Sequence, residues 1–335
     1  MKHLIIYHFE DNDGVCSCAL IKNFLLNFAP EDDEITLLPS NYASLAALME
    51  EKGFEYFDAF DQVWMTDVSF NDWTYMKKLY DKFGKNFIWF DHHAPIIQES
   101  KSHGFDTAVG FRDTNRSAIL CAYHYFHDDR DKKYNNGTVP TLLRLLSSWD
   151  SWSWVREGLD ERFIRSFNTG VTSLSKLDVE YFMEYMPLLL LGGQHGEVKY
   201  PFDSNMEISV YMQRAIELGE NIIDGQARAN EALISGYGEF GWKVDGVENA
   251  VMVVTSGPSG SQMFKSVSGC LDHGIVFKHS KEGNWLVSLY NTRNDITFHC
   301  GNYLHEKYGG GGHSGAAGCT LTNEQFFKVI REKSL

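Results

Sequence analysis

Four short segments carry side chains that can ligate a cation or move a proton. They are His8-Phe9-Glu10-Asp11-Asn12-Asp13-Gly14, a lone Asp67 after the run QVWMT, Asp91-His92-His93 after NFIWF, and Asp150 within Ser147-Ser148-Trp149-Asp150-Ser151-Trp152. Taken alone, a D-x-D-G cluster is a capped turn, because helix starts favour aspartate for capping and dipole reasons. Gly14 would let the chain turn sharply there. Four acidic or imidazole clusters in one domain are harder to attribute to capping. Carboxylate oxygen with neutral imidazole suits Mn²⁺, and also Mg²⁺, Fe²⁺ or Zn²⁺. Two such cations ~3.5–4 Å apart lower the pKa of an attacking water and neutralise charge on phosphoryl oxygens, so the chemistry open to this set is phosphate-ester hydrolysis.

The elements around these residues must place them together. Leu4–Tyr7 reads as a strand and Val15–Phe28 as a helix, with apolar residues at Leu20, Phe24 and Leu25. Gln62–Thr66 and Asn86–Phe90 read as further strands, each ending immediately before an aspartate, with a helical pattern over Asn71–Phe83 between them. This alternation predicts an α/β fold with a parallel, helix-covered sheet. Such sheets bind ligands at the carboxyl ends of their strands, where Asp67 and Asp91 fall. The polar run Asp128–Lys133 reads as a solvated loop.

A linking helix is expected over Asn205–Glu231, from apolar spacing at Ile208, Tyr211, Met212, Ala215 and Leu218. Strand-like runs follow at Ala250–Thr255, Gly274–Phe277 and Trp285–Leu289. The expected division is a first domain over 1–200, a helical linker over 201–232 and a smaller α/β domain over 233–335.

Near the C-terminus, Gly309-Gly310-Gly311-Gly312-His313 offers backbone N–H groups without side-chain obstruction, a natural cradle for phosphate. Neither a P-loop nor a dinucleotide fingerprint is present, since no G-K-[ST] follows and the glycines open no βαβ unit. Cys16 and Cys18 alternate on a helix and share no face, so they read as packing residues and not as a joint metal site. His124, His127, His195, His273, His279, His299 and His305 form no ligand spacing. Trp149, Trp152 and Trp154 read as packing around Asp150, since a stacking role would need solvent exposure.

The chain has 335 residues, with 43% hydrophobic and 22% charged residues, which suits a folded protein of two domains. A net charge of -15 works against non-specific binding to long nucleic acid, whose affinity comes from Lys and Arg neutralising phosphates. Long duplex nucleic acid and membranes are therefore not expected partners. Six scattered cysteines, a start that runs directly into an apolar strand, and the lack of any apolar stretch near ~20 residues predict a cytoplasmic protein.

The ordered set D-x-D-G, Asp after a strand, D-H-H and Asp beside tryptophans resembles motifs I to IV of the DHH phosphoesterase family. Gly309–His313 followed by Ala316-Ala317-Gly318 resembles the substrate-binding signature of the associated C-terminal DHHA1 domain, so the resemblance covers nearly the whole chain. It implies two divalent cations, with Mn²⁺ preferred and Mg²⁺ or another divalent metal as alternatives. His8, Asp11 and Asp67 would hold one, with Glu10 or a water as the alternative to His8. Asp13, Asp67, His92 and Asp150 would hold the other. It further implies that His93 faces the scissile phosphate, that Asp91 orients the histidines, and that Arg116, Ser117, Arg293, Gly310, Gly311, Gly312 and His313 contact substrate. The Trp-rich fourth motif resembles the nano-RNase branch, which degrades very short RNA. The expected partners are thus a small phosphorylated substrate or a short oligonucleotide, and a homodimer is compatible with the family. Exopolyphosphatase or cyclic-dinucleotide phosphodiesterase activity is the alternative within the family. A catalytically inactive nucleotide sensor is the alternative outside enzymes.

Overall fold

The computed structural model of the protein describes residues 1–105, 108–127, 139–190, 204–256, 260–293, 295–312 and 314–335. The chain divides into two compact units, Met1–Ile222 and Ile223–Leu335. The loop reading of Asp128–Lys133, and the residues His195 and His313, lie outside the described residues.

In the first unit, β1 (Lys2–His8), α1 (Asn12–Phe28), β2 (Glu34–Ser40), α2 (Tyr42–Lys52), β3 (Gln62–Thr66), α3 (Trp73–Phe83), β4 (Phe87–Phe90) and α4 (Ala94–Ser102) alternate along the chain. The strands form one wholly parallel sheet in the order β2-β1-β3-β4. Helices α5 (Ala118–His127), α6 (Thr141–Asp150), α7 (Ser153–Glu157), α8 (Glu161–Ser175), α9 (Val179–Glu184) and α10 (Met186–Leu189) follow. The period of two along a strand explains why the sheet needs cover on both faces. Ile5, Tyr7, Trp64, Ile88 and Phe90 pack against residues of α1, α5, α6 and α8. Leu4, Ile6, Val63, Met65, Phe87 and Trp89 pack on the opposite face with Leu45 and Met49 of α2 and Trp73, Met76 and Leu79 of α3. The edge strand β2 has no sequence signal: it is only partly buried and carries Pro39, which an edge tolerates.

Helix α11 (Ser204–Tyr237) spans the boundary between the units and contains the helical segment expected from the sequence. The second unit adds β5 (Glu239–Val244), β6 (Val247–Val254), β7 (His273–His279), β8 (Trp285–Asn291), α12 (Cys300–Tyr308), β9 (Gly311–Gly312), β10 (Ala316–Leu321) and α13 (Asn323–Glu332). Its sheet is mixed, ordered β5-β6-β7-β8-β10-β9, with β6 and β7 parallel and the other pairs antiparallel. Met252, Ile275, Phe277, Val287 and Leu289 of this sheet pack with Cys300 and Leu304 of α12 and Phe326 and Val329 of α13. The architecture is therefore α/β in two units, the first built on a parallel sheet and the second on a mixed one. Among the described residues, no helix is long and apolar enough to cross a membrane.

Candidate metal centre

Three adjacent parallel strands deliver the chemistry to one edge. His8 is the last residue of β1, Asp67 follows β3, and Asp91-His92-His93 follow β4. The start of α1 folds back on this edge. A Cβ on Gly14 would lie 2.1 Å from the carbonyl oxygen of His8, so only glycine permits this close return. Asp11 caps α1 by accepting from the Gly14 N–H at 2.9 Å, so the capping expected of a D-x-D-G cluster is real for this residue. Asp13 does something different. Its two carboxylate oxygens accept from the backbone N–H groups of Ala118 and Ile119 at 2.7 and 2.8 Å, binding the N-terminus of α5.

The donor atoms of Asp13, Asp67, His92 and Asp150 all lie within 4.8 Å of one another, and Asp67, His92 and His93 form an overlapping group. His92 Nε2 is 2.8 Å from Asp150 Oδ2, 3.2 Å from Asp67 Oδ1 and 3.6 Å from Asp13 Oδ2. Yet Asp67 Oδ1 and His92 Nε2 are buried without a well-formed hydrogen bond. The contacts are close but not aligned as donor–acceptor pairs, which is how ligands crowd around a common ion. This donor set fits a hard or borderline divalent cation.

The electrostatics agree. Burial, with Asp150 adding to it, pushes the Asp13 carboxyl up to about 7. Burial and then Asp13 raise Asp67 well above the ordinary carboxylate range. Burial works against a charged His92, but the Asp150 and Asp67 carboxylates outweigh it and push the imidazole up to about 12. Without a cation the cluster therefore relieves its crowded negative charge with protons. Asp67 also adopts a left-handed backbone conformation at φ 59, unusual for a non-glycine residue and a form of strain concentrated at functional positions.

Asp91 sits wholly buried beneath the histidines. Its Oδ1 accepts from the backbone N–H groups of His92 and His93 at 2.7 and 3.0 Å and lies 2.9 Å from His93 Nδ1. Its Oδ2 accepts from Trp89 Nε1 at 3.2 Å. The bond to Asp91 raises the pKa of His93 against its partial burial.

His8 and Asp11 stand together but outside the four-residue group. His8 Nε2 is 3.5 Å from Asp11 Oδ2 and 3.8 Å from Glu10 Oε2, while its Nδ1 is buried without a hydrogen bond. Glu10 lies within reach of the same imidazole, so both donors considered for this position are present. A cavity of about 150 Å³ beside the cluster is lined by Asp11, Asp13, Trp149, Asp150, Asn168 and Thr172. Sequence reading had no hold on Asn168 and Thr172. Their signal is an i,i+4 polar pair on the otherwise amphipathic α8, where Asn12 donates to the Asn168 carbonyl and the Thr172 hydroxyl.

The residues expected to grip substrate are placed as follows. Arg116 and Ser117 precede α5, one to three residues from the N–H groups that hold Asp13. In the second unit, Arg293 is engaged by its own surroundings: Nη2 is 2.9 Å from Asp272, Nε is 2.8 Å from Asp295, and Nη1 donates to the Ser268 carbonyl. The N–H groups of Gly309 and Gly310 close the end of α12 on the carbonyls of His305 and Leu304. Gly311 and Gly312 pair with Gly318 and Ala317 of β10. Much of the glycine run thus serves helix termination and sheet pairing. Gly311 still borders an open depression of about 680 Å³ with Leu286, Ser288 and Thr320. Trp152 is 69% exposed, so the packing role expected of it does not apply, whereas Trp149 and Trp154 are partly buried against the core.

No family model matches the chain, and no curated protein matches it. Solved structures do. The pGpG-specific phosphodiesterase PggH from Vibrio cholerae matches with a TM-score of 0.51 at 14% identity, over 99% of this chain and 97% of that one. An exopolyphosphatase-related protein from Bacteroides fragilis gives a TM-score of 0.41 at 14% identity, over 99% and 91%. An uncharacterized protein from Helicobacter pylori gives 0.38 at 16%, over 99% of both chains. The chain shares the fold of the Vibrio phosphodiesterase. At that identity the likeness establishes the fold alone.

Proposed function

We propose that the protein is a metal-dependent phosphoesterase of the DHH type that hydrolyses phosphodiester bonds in short oligonucleotides. The convergence of Asp13, Asp67, His92 and Asp150 within 4.8 Å, at the carboxyl end of a parallel sheet, carries this reading. The fold shared with a phosphodiesterase whose named substrate is a dinucleotide supports it.

Bound divalent cations would supply Lewis acidity, lowering the pKa of a water and offsetting charge on phosphoryl oxygens. Asp13, Asp67, His92 and Asp150 would hold one, and His8 with Asp11 and Asp67 would complete a second. Asp13 is itself fixed by two backbone N–H groups, so it holds its position without relying on a cation. Asp91 ties Nδ1 of His93 and so leaves Nε2 of the same ring to donate to a phosphoryl oxygen. The raised pKa of His93 keeps a proton available for that bond. Residues of the glycine run, Arg293, Arg116 and Ser117 would bind parts of the substrate away from the cleaved bond. The reading includes Mn²⁺ as the working cation and a cytoplasmic setting, open to metal titration and cell fractionation.

The test is a substrate screen of the purified protein with Mn²⁺ against dinucleotides, cyclic dinucleotides, adenosine bisphosphate and polyphosphate. Release of mononucleotides from a dinucleotide is the expected outcome. Phosphate release from polyphosphate alone would replace the substrate assignment, and inactivity on all four with cations bound would leave a nucleotide sensor instead.

A further inference from the structure

Outside the metal centre, the first unit carries a partly open cavity of about 450 Å³ lined by Arg116, Arg144 and Arg156, with Asn115, Asp113 and Glu157 among their neighbours. The volume lies in the range of small-molecule sites. Three guanidinium groups around one cavity are unexpected in a chain of net charge -15.

How each arginine is held matters more than the count. Arg156 is anchored by two hydrogen bonds to Asn115, one to its side-chain oxygen and one to its carbonyl, both 3.1 Å. Arg116 has Nε 3.4 Å from Asp113 and its guanidinium over the ring of Phe111 at 5.6 Å. Arg144 is different. Its nearest carboxylate oxygen, on Glu157, is 3.7 Å from Nε, and that buried Nε makes no hydrogen bond. Glu157 is meanwhile occupied on its other oxygen by the Ser153 hydroxyl at 2.8 Å. A guanidinium offers five N–H donors in a rigid fork suited to phosphate, and burying one of them unused is costly. Among the described residues that line it, three guanidinium groups stand with two carboxylates, Asp113 and Glu157.

The cavity is tied to the metal centre through shared elements. Arg144 and Asp150 lie on the same helix, about 9 Å apart along its axis at ~1.5 Å per residue. Arg116 stands two positions before Ala118, whose N–H binds Asp13. A phosphate in the cavity would therefore lie close to the centre without being the group attacked there.

We infer that this cavity is a phosphate-binding subsite, built chiefly on Arg144 and Arg156, that takes a terminal phosphate monoester of a short nucleotide. The identity of the ligand rests on the phosphoesterase reading. The site's affinity for phosphate does not. Measuring binding on chelator-treated protein separates the two, because a carboxylate cluster without cations offers a phosphate no metal to bind.

Isothermal titration should compare pGpG with its unphosphorylated counterpart GpG, and use inorganic phosphate as competitor. The parent protein should bind pGpG at least about tenfold more tightly than GpG, with free phosphate erasing the difference. Arg144→Gln and Arg156→Gln should each weaken pGpG binding by roughly ten- to a hundredfold, as loss of a charge-assisted hydrogen bond does. GpG binding should stay unchanged in both. Arg144→Lys should recover part of the loss, and thermal unfolding of each variant checks that the fold is intact. Asp67→Asn should keep the preference for pGpG, since it alters the metal centre and not the cavity. Equal binding of pGpG and GpG by the parent overturns the inference, as does an undiminished preference in both glutamine variants. A persistent preference in a protein inactive on every substrate would sink the phosphoesterase reading and leave the phosphate site standing.

Discussion

The metal centre of the first unit and the glycine–arginine segment of the second contain equally suggestive residues, yet the structure treats them in opposite ways. Around Asp67 and His92, buried polar atoms crowd together without proper hydrogen bonds. Around Arg293 and the glycine run, most polar groups already have partners of their own: two carboxylates and a carbonyl for the arginine, helix-end carbonyls and a strand for the glycines. Burying a polar group without a partner costs free energy, so a folded protein rarely leaves one unless something else is to bind it. Incomplete pairing marks a site better than residue type does.

Substituting Asp67 should produce the largest effect and tests the comparison most severely. Asp67→Gly should weaken divalent-cation binding by more than the roughly ten- to hundredfold that loss of an outer partner costs, and abolish hydrolysis. The metal-free variant should meanwhile be more stable than the parent by about 1 kcal/mol, because glycine relieves the left-handed conformation and a buried carboxylate is removed. Asp61→Ala should change neither, since that carboxylate is exposed and accepts from the Lys2 N–H. Titration calorimetry and urea unfolding read both effects, and unchanged cation affinity in Asp67→Gly would remove that residue from the centre.

A second effect concerns pH. Asp13 has its folded-state pKa raised from 3.8 to about 7, so the folded protein holds this proton longer than the unfolded chain. Stability from this residue is therefore greatest below pH ~4 and is lost as pH rises through about 7, by on the order of a few kcal/mol. Chelator-treated parent protein should lose more melting temperature between pH 4 and 8 than Asp13→Asn. Added divalent cation should flatten the parent's profile. Parallel profiles for parent and variant would show that Asp13 is not under that stress.

The glycine run sharpens the other side of the comparison. Gly312 has φ +144, and a Cβ there would lie 2.5 Å from Ala317 Cα, whereas a Cβ on Gly311 would meet nothing within 4 Å. Gly312→Ala should destabilise the protein by at least about 1 kcal/mol, while Gly311→Ala should be near neutral in thermal unfolding. Neither should alter cation binding. A loss of substrate affinity in Gly311→Ala alone would identify the depression beside it as a working surface.

Arg293→Ala should lower stability only slightly, by less than about 1 kcal/mol, because its ion pairs are partly exposed. If it also grips substrate, KM should rise with kcat unchanged on a dinucleotide, and a thymidine nitrophenyl phosphodiester should be cleaved as by the parent. A fall in kcat on that truncated substrate would place the arginine at the reacting centre.

Much of the first unit was legible in the sequence because its signals are local. Runs such as QVWMT and NFIWF declare strands, and an aspartate one residue beyond each sits at a carboxyl end whatever else the chain does. The parallel sheet then brings His8, Asp67 and Asp91 to one edge, since adjacent parallel strands end side by side. Strand β2 escaped notice because an edge strand with a proline lacks a buried alternating pattern. Tertiary structure alone decided what depends on partners distant along the chain. The amides of Ala118 and Ile119 reach Asp13 from 105 and 106 residues away, and Asp272 before β7 claims Arg293 after β8 where those two strands lie side by side. Arg144 and Arg156 join Arg116 in one cavity, though only Arg116 was expected from the sequence to contact substrate. Composition and periodicity report which side chains are available and which way an element turns them. Whether a polar group is satisfied depends on what the rest of the fold brings to it.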